Sequence, residues 1–499
     1  MSEQADIVVL LPFIAAFLVL VVAVYAKFIF RKTYDKPVDE KKQNWVIDFE
    51  PMDDSKVESL AVFLTGTVVA VIVTLSTIIG WIILEAYLTD IHGWHVYRIF
   101  YIAAGIFFLG QMLLSSFCKP VKGQANGLLK LHVLIPVFNE DENSLKNCLE
   151  SCLSQGLVPS GIHVVDDCST ESDYSEVKEW FLPTAKEHGV MATWDRLPQN
   201  GGKRIAQIKG FKNVPEDPYV IIVTTDSDSI LDPKMLEEGI KPFNDSKVSS
   251  VAGLMIAKNV QNSWLTRMYD LIMVCQQLIG RGAVSLFGNV LVNSGPSAFY
   301  RYDVVKNAIN NQYHYEEFLK QEVRCSDDSY LTLCALLMGH TVFQPSAIVL
   351  SDMPTKLSHH IRQQLRWERG STVRGIWRLK YLLDQKHTIP GFLRQLLGWI
   401  SFWTIFTIAI IVITNCIANN DWVQLLLMTQ IAFALSIGYY TRYLHVKRLD
   451  IRNNWTGYLL TPIATLWASI VLKIVRLYAT FTCHKITHWG TRTNIEDID

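Results

Sequence analysis

The sequence has no excess of charge of either sign: 46 Lys and Arg stand against 47 Asp and Glu in 499 residues, a formal net charge of -1. That balance excludes a protein held to nucleic acid by bulk positive charge. It also has no CxxC pair, and its nine cysteines, an odd number, follow neither zinc-ribbon nor secreted-domain spacing. A zinc framework and a disulfide framework are thereby excluded. Internal repeats and low-complexity tracts are lacking too. Charged residues are scarce at 19% while hydrophobic ones reach 50%, and the apolar residues gather in long uncharged runs toward both ends. A purely soluble chain is therefore excluded, and the block from Lys119 to about Lys386, of ordinary globular composition, implies one sizeable soluble domain between membrane segments.

Five runs have the ~20 residues needed to cross a bilayer as a helix: Ile7 to Ala26, Leu60 to Leu84, Ile99 to Cys118, Leu396 to Asn420 and Trp422 to Thr441. Basic residues between the first two runs (Arg31, Lys32, Lys36, Lys41, Lys42 and Lys56) predict an outside amino terminus and a cytosolic central domain. A sixth apolar segment, Asn453 to Leu472, contains Pro462, runs into Lys473 and Arg476, and is basic on both flanks. The expectation is a re-entrant or broken element over Tyr458 to Thr482, buried against the bundle; the alternative is an ordinary span with an outside tail. The chain thus divides into 1–118 with three spans, 119–355 as the cytosolic domain, 356–394 as amphipathic interface helices, 395–482 as membrane and re-entrant helices, and 483–499 as a cytosolic tail.

Within the central block, β-rich runs at Leu131 to Val137, Ile162 to Val165, Tyr219 to Thr225 and Val248 to Ile256 alternate with helical patterns. One pattern is Leu145, Cys148, Leu149 and Cys152, where the two thiols are expected to pack in a core. Such alternation predicts a mostly parallel, doubly wound α/β sheet. Ligands in that architecture bind beyond the carboxyl ends of the strands, which here carry Asn139 and Glu140, Asp166 and Asp167, and Asp226 and Asp228.

Asp226-Ser227-Asp228 follows an apolar strand, and two carboxylates at that spacing suit a Mg or Mn ion that also takes diphosphate oxygens. A second such triplet, Asp497 to Asp499, is a solvated terminus. Asp166-Asp167 suits either a turn with an Asx cap or an acceptor for a base or ribose. Gly202-Lys203-Arg204 opens a helix, where backbone N–H groups and cations can meet phosphate or simply face solvent. Ser326-Asp327-Asp328 also opens a helical pattern, the place for an N-cap or for a base facing an acceptor. Gln363, Arg366 and Trp367 share one helix face, suited to gripping diphosphate and stacking a pyranose, or to lying on a membrane surface. His92, His95, His359 and His360 have no third partner at ligand spacing.

Taken in order, these motifs resemble the processive family-2 glycosyltransferases, most closely the hyaluronan synthases, with chitin and cellulose synthases more distant. The carriers are Ile135-Pro136-Val137-Phe138-Asn139-Glu140, Val165-Asp166-Asp167, Asn200-Gly201-Gly202-Lys203-Arg204, Asp226-Ser227-Asp228, Asn293-Ser294-Gly295-Pro296, Ser326-Asp327-Asp328, Gln363-Gln364-Leu365-Arg366-Trp367 and Trp489-Gly490-Thr491-Arg492. The resemblance implies a glycosyltransferase-A-like domain, UDP-sugar donors, a growing polysaccharide acceptor, a Mg or Mn ion, contact with membrane lipids and a multi-pass position in the plasma membrane. It places Glu140 and Asp167 on the uridine side, Lys203 and Arg204 on the nucleotide, and Asp226 with Asp228 on the ion. Asp328, paired with Asp327, becomes the general base. Trp367 becomes the acceptor-binding plate, in the Gln363, Arg366 and Trp367 element specific to processive polymerases, with Trp489 and Arg492 in a loop closing over the donor. Two positions depart from the family's pattern: Ser329 stands where an arginine is usual, and Asn293 where a cysteine commonly precedes Ser-Gly-Pro. Both bear on sugar specificity.

Overall fold

The computed structural model describes residues 47–49, 107–311, 313–318, 321–323, 326–420, 422–448 and 455–485. The expected spans Ile7 to Ala26 and Leu60 to Leu84, the start of the third, and the tail residues Trp489 and Arg492 lie outside them.

Eight strands form the central sheet: β1 Lys130–Val137, β2 Gly161–Asp166, β3 Met191–Arg196, β4 Val220–Thr224, β5 Ile230–Leu231, β6 Val248–Ala257, β7 Ala298–Arg301 and β8 His340–Ser351. Their order is β3-β2-β1-β4-β7-β6-β8-β5. The first four run parallel, and so do β6 and β8; β7 is antiparallel to both β4 and β6, and β5 to β8. Six of the eight strands, β1, β2, β3, β4, β6 and β8, thus point one way and β7 and β5 run against them, so the sheet is mostly parallel and, through those two strands, mixed. Val, Ile and Leu dominate β1 and β4, and these strands and β6 are buried along nearly their whole length, as strands covered on both faces must be.

The helices that matter for the site are α1 Glu142–Leu153, α2 Ser175–Glu187, α3 Lys203–Phe211, α4 Met235–Ile240, α5 Trp264–Gln276, α6 Asp327–Met338 and α7 Leu357–Tyr381. Asp141 caps α1 by accepting a hydrogen bond from Ser144 N at 2.8 Å, and Leu145, Cys148, Leu149 and Cys152 all bury in the core, as their spacing predicts.

After α7 come two long apolar helices, α8 Ile389–Asn419 and α9 Val423–Tyr440, over the fourth and fifth expected runs. The described end of the third run, residues 107–115, is helical and meets them: Phe107 lies under Arg394 of α8, and Phe108 stacks on Tyr439 of α9. Among the described residues, one helix passes a test of length and apolarity for crossing a membrane: α10, Thr461–Lys485.

The segment Tyr458 to Thr482, expected to be re-entrant or broken, is helical from Thr461 onward. A short helix, Trp455–Tyr458, precedes α10, which runs on through a π-helical turn at Trp467–Val471. Pro462 occupies the first helical turn, where its missing N–H costs no intrahelical bond, so it starts the helix instead of interrupting it. Lys473 and Arg476 turn inward onto the Phe402 ring, and Arg476 lies 3.7 Å from Glu368. The opposite stripe, Ile463, Leu466, Ile470, Ile474, Tyr478 and Phe481, is exposed.

Candidate active site

The site forms where the carboxyl ends of β1, β2 and β4 meet the amino-terminal ends of α3 and α6. At the end of β1, Asn139 adopts a left-handed backbone (φ 45). Its amide oxygen accepts from Thr170 N at 2.9 Å, tying this loop to the one after β2. Glu140 is buried, and its carboxylate accepts from the Ser227 hydroxyl at 2.8 Å, directly behind the acids after β4. Tyr174, at the start of α2, holds the Glu140 backbone by accepting from its N–H and donating to its carbonyl.

Asp167 directly follows β2 and accepts from Gly201 N and Gly202 N at 2.7 and 2.8 Å, one to each oxygen. Burial pushes its carboxyl above the usual range, against the pull of those two N–H groups. Gly202 sits at φ 83, a conformation that frees glycine alone from strain, and this turn starts α3.

Lys203 then projects into the site. Its ammonium lies 2.5 Å from Asp226 and 3.5 Å from Asp327, with its side chain only 8% exposed. Burial alone would lower its affinity for the proton, but Asp226 and Asp327 hold it above the ordinary lysine value. Gly295 closes the floor: a Cβ there would stand 3.3 Å from Lys203 Nζ and 3.6 Å from an Asp226 oxygen.

Arg204 does not join this group. Successive side chains on a helix diverge by about 100°, and Arg204 points away into the interior. There it pairs with Glu316 at 2.9 Å, with its guanidinium over the rings of Tyr313 and Tyr330. In this structure the Arg204 guanidinium is taken up by that buried ion pair.

Asp327 and Asp328 open α6 with opposite protonation behaviour. Burial would raise Asp327, but Lys203 and Arg204 keep it below the usual carboxylate range, and Gln207 donates to it at 3.1 Å. Asp328 is pushed up to about 6 by burial and by the charge of Asp327, with Lys203 opposing. Two adjacent acids with values driven apart give one fixed anion and one group able to take a proton near neutrality.

On α7, Gln364 donates to the Tyr269 hydroxyl at 2.5 Å and is spent on the core. Gln363 Oε1 and Arg366 Nε are buried with no hydrogen-bond partner, the condition expected of groups that await a polar ligand. Trp367 packs partly against the core beside Tyr269. His360, a neighbour on this helix, receives the Trp467 indole N–H at 3.1 Å.

Asp226 and Asp228 do not form a metal cage by themselves: no cluster of three or more His, Cys, Asp or Glu able to hold a metal occurs among the described residues. Asp226 keeps 35% of its side chain exposed. An open pair of carboxylates fits a hard divalent ion that draws its remaining ligands from diphosphate and water.

Residues that the sequence reading passed over are Ser227, Gln207, Glu316 and Arg374. Arg374 was within reach, since it lies seven residues, two helical turns, beyond Trp367 on the same face of α7. Glu316 lies in a polar stretch without periodicity and gave no signal.

A model of glycosyl transferase family 2 matches residues 132–308, and a model of glycosyl transferase family group 2 matches residues 221–441. Hyaluronan synthase of Streptococcus pyogenes serotype M1 is 32% identical over 386 residues, covering 77% of this chain and 87% of the relative. The chain belongs to glycosyl transferase family 2, in its hyaluronan-synthase-like branch. This family-2 glycosyltransferase is also 32% identical over 325 residues to an N-acetylglucosaminyltransferase of Bradyrhizobium diazoefficiens, covering 59% of this chain and 64% of the relative. A mannosyltransferase from Pyrobaculum calidifontis, solved in complex with GDP-Man and Mn2+, superposes with a TM-score of 0.50 at 18% identity. The match covers 75% of this chain and 99% of that one, and shows a shared glycosyltransferase-A-like fold.

Proposed function

We propose that this glycosyltransferase is an inverting, processive β-glycan synthase. It takes UDP-sugars at a cytosolic site and passes the polymer through its own helices across the plasma membrane, and the product is hyaluronan, made from UDP-GlcNAc and UDP-GlcA. The observation that carries the reading is the split pair Asp327–Asp328 placed against Lys203 and Asp226.

The acceptor hydroxyl, set by Trp367 with Gln363 and Arg366, attacks the anomeric carbon of the donor. Its proton passes to Asp328, and the bond from that carbon to the diphosphate breaks, with the electron pair leaving on UDP. A Mg or Mn ion held by Asp226 and Asp228 would shield the diphosphate charge. Lys203 adds a cation on the same side, while Asp167 and Glu140 frame the uridine end. Arg204 acts at one remove, by holding α3. By the family resemblance Trp489 and Arg492, which lie outside the described residues, would belong to a loop over bound donor, so Trp489→Ala or Arg492→Ala should lower polymer synthesis far more than affinity for free UDP.

Membrane lipids would cover the exposed stripe of α10 and the apolar faces of α8 and α9, which fits a multi-pass protein. The domain boundaries proposed from composition carry over: spans in 1–118, the catalytic domain in 119–355, interface helices in 356–394, membrane helices in 395–482 and a gating tail in 483–499.

The test is purified full-length protein incubated with individual and paired UDP-sugars, following UDP release and product size. Long polymer only with UDP-GlcNAc and UDP-GlcA together supports hyaluronan. The 32% identity to an N-acetylglucosaminyltransferase favours a second reading, a chitin-like polymer, which polymerisation of UDP-GlcNAc alone would establish. Products of one added sugar would instead indicate a non-processive enzyme.

A further inference from the structure

Three helices converge on one buried carboxylate. Glu316 accepts from Arg204 of α3 at 2.9 Å and from Arg374 of α7 at 2.8 Å. Side-chain exposures are 4% for Arg204, 7% for Glu316 and 2% for Arg374. Both guanidinium groups also lie over the Tyr330 ring of α6, at 5.2 and 5.1 Å. Burial would raise the Glu316 carboxyl, but Arg374 and Arg204 hold it below the usual range, so it stays an anion. An ion cluster this deep is costly to desolvate and persists only where its geometry is complete.

Arg374 does more than pair with Glu316. Its Nε donates to the Ser329 hydroxyl at 3.3 Å. That hydroxyl donates in turn to the Ser326 carbonyl at 3.1 Å, and Ser329 N donates to the Asp328 carboxylate at 2.6 Å. Ser326, at the head of α6, sits at φ 57, a left-handed conformation that a residue with a side chain adopts only when its surroundings impose it. A chain of contacts thus runs from α7 through Ser329 to the turn that aims Asp327 and Asp328.

We propose that Arg374 is a positioning residue for glycosyl transfer: through Glu316 and Ser329 it fixes the helix bearing Gln363, Arg366 and Trp367 against the start of the helix bearing Asp328. The distance between acceptor and base is then set by one guanidinium, placed two turns from Trp367, about 10 Å along α7. The proposal rests on the assignment of Asp328 as base and Trp367 as acceptor plate. It also gives Ser329 a function: a small hydroxyl leaves room for an arginine that arrives from α7.

The experiment uses full-length enzyme in nanodiscs with Ser329→Ala, Arg374→Lys and the double variant, and Asp328→Asn as a control on the base. Measured are kcat and KM for polymer synthesis, UDP affinity, donor hydrolysis with water as acceptor, and melting temperature. Arg374→Lys keeps a buried cation beside Glu316, and Ser329→Ala removes one hydroxyl, so both variants are expected to fold. Each should lower kcat about tenfold, leave UDP affinity within twofold, and raise the share of UDP released by hydrolysis. The double variant should lose no more than the worse single one, because both act through one bond. Lower melting temperatures with unchanged kcat per folded enzyme would leave Arg374 a purely structural residue and overturn the proposal; so would additive losses. If Asp328→Asn stays active, the assignment of the base falls. An inactive Asp328→Asn with unaltered kcat in Ser329→Ala and Arg374→Lys defeats the positioning role alone.

Discussion

Lys203 joins Asp226 to Asp327: one ammonium group spans the acids at the end of β4 and those at the start of α6, at 2.5 and 3.5 Å. The acids at the end of β4 and those at the start of α6 therefore share a charge, and a change in either pair is felt by the other.

Asp328→Asn should abolish polymer synthesis while leaving fold and UDP affinity intact, since an amide accepts no proton at neutral pH. General-base removal costs roughly 100-fold or more in rate. Retention of more than a tenth of the parent rate would refute the assignment of the base.

The same residue sets a pH dependence. Asp328 takes a proton only when ionised, and its value near 6 puts an acid limb in kcat/KM, with activity rising as pH increases through about 6. Part of that elevation comes from Asp327, so Asp327→Asn should move the limb to lower pH. A profile flat from pH 5 to 8 in the parent would contradict it.

Asp226→Ala and Asp228→Ala should lose the Mn-dependent part of UDP binding as well as activity. Calorimetric titration of UDP with Mn2+ and with EDTA checks this. An equal metal effect in parent and variants would remove the ion from these residues.

Stability should fall on acidification for a reason remote from the site. His132 and His163 stack in the sheet with ring nitrogens 3.0 Å apart, and burial lowers both from the ordinary 6.5 to about 4. The unfolded chain takes up these protons first, so stability is full above pH 6.5 and declines between 6.5 and 4. Melting temperatures at pH 7.5 and 5 should differ less in His132→Gln than in the parent.

Much of the donor half was legible in the sequence because strand ends are. Val, Ile and Leu runs that stop at Asp166-Asp167 or Asp226-Ser227-Asp228 mark both a strand and its ligand-facing edge. β7 was not legible, because four residues carry too short a pattern, and β5, with two, carries less. The separate settings of Lys203 and Arg204 were not legible, because neighbours in sequence diverge on a helix: Lys203 faces the acids and Arg204 faces Glu316. In sequence Pro462, Lys473 and Arg476 read as interruptions; in the fold Pro462 starts the helix, and Phe402 and Glu368 supply partners for Lys473 and Arg476.

Beneath Lys203 and Asp226, the Gly295 segment presents main chain, and the Thr224 hydroxyl donates to its carbonyl at 3.0 Å. A surface made of peptide groups has the same chemistry whatever the neighbouring side chains become. Substitutions at side-chain positions nearby, such as Asn293 and Ser329, can accumulate without changing that surface, because its hydrogen-bonding groups belong to the backbone.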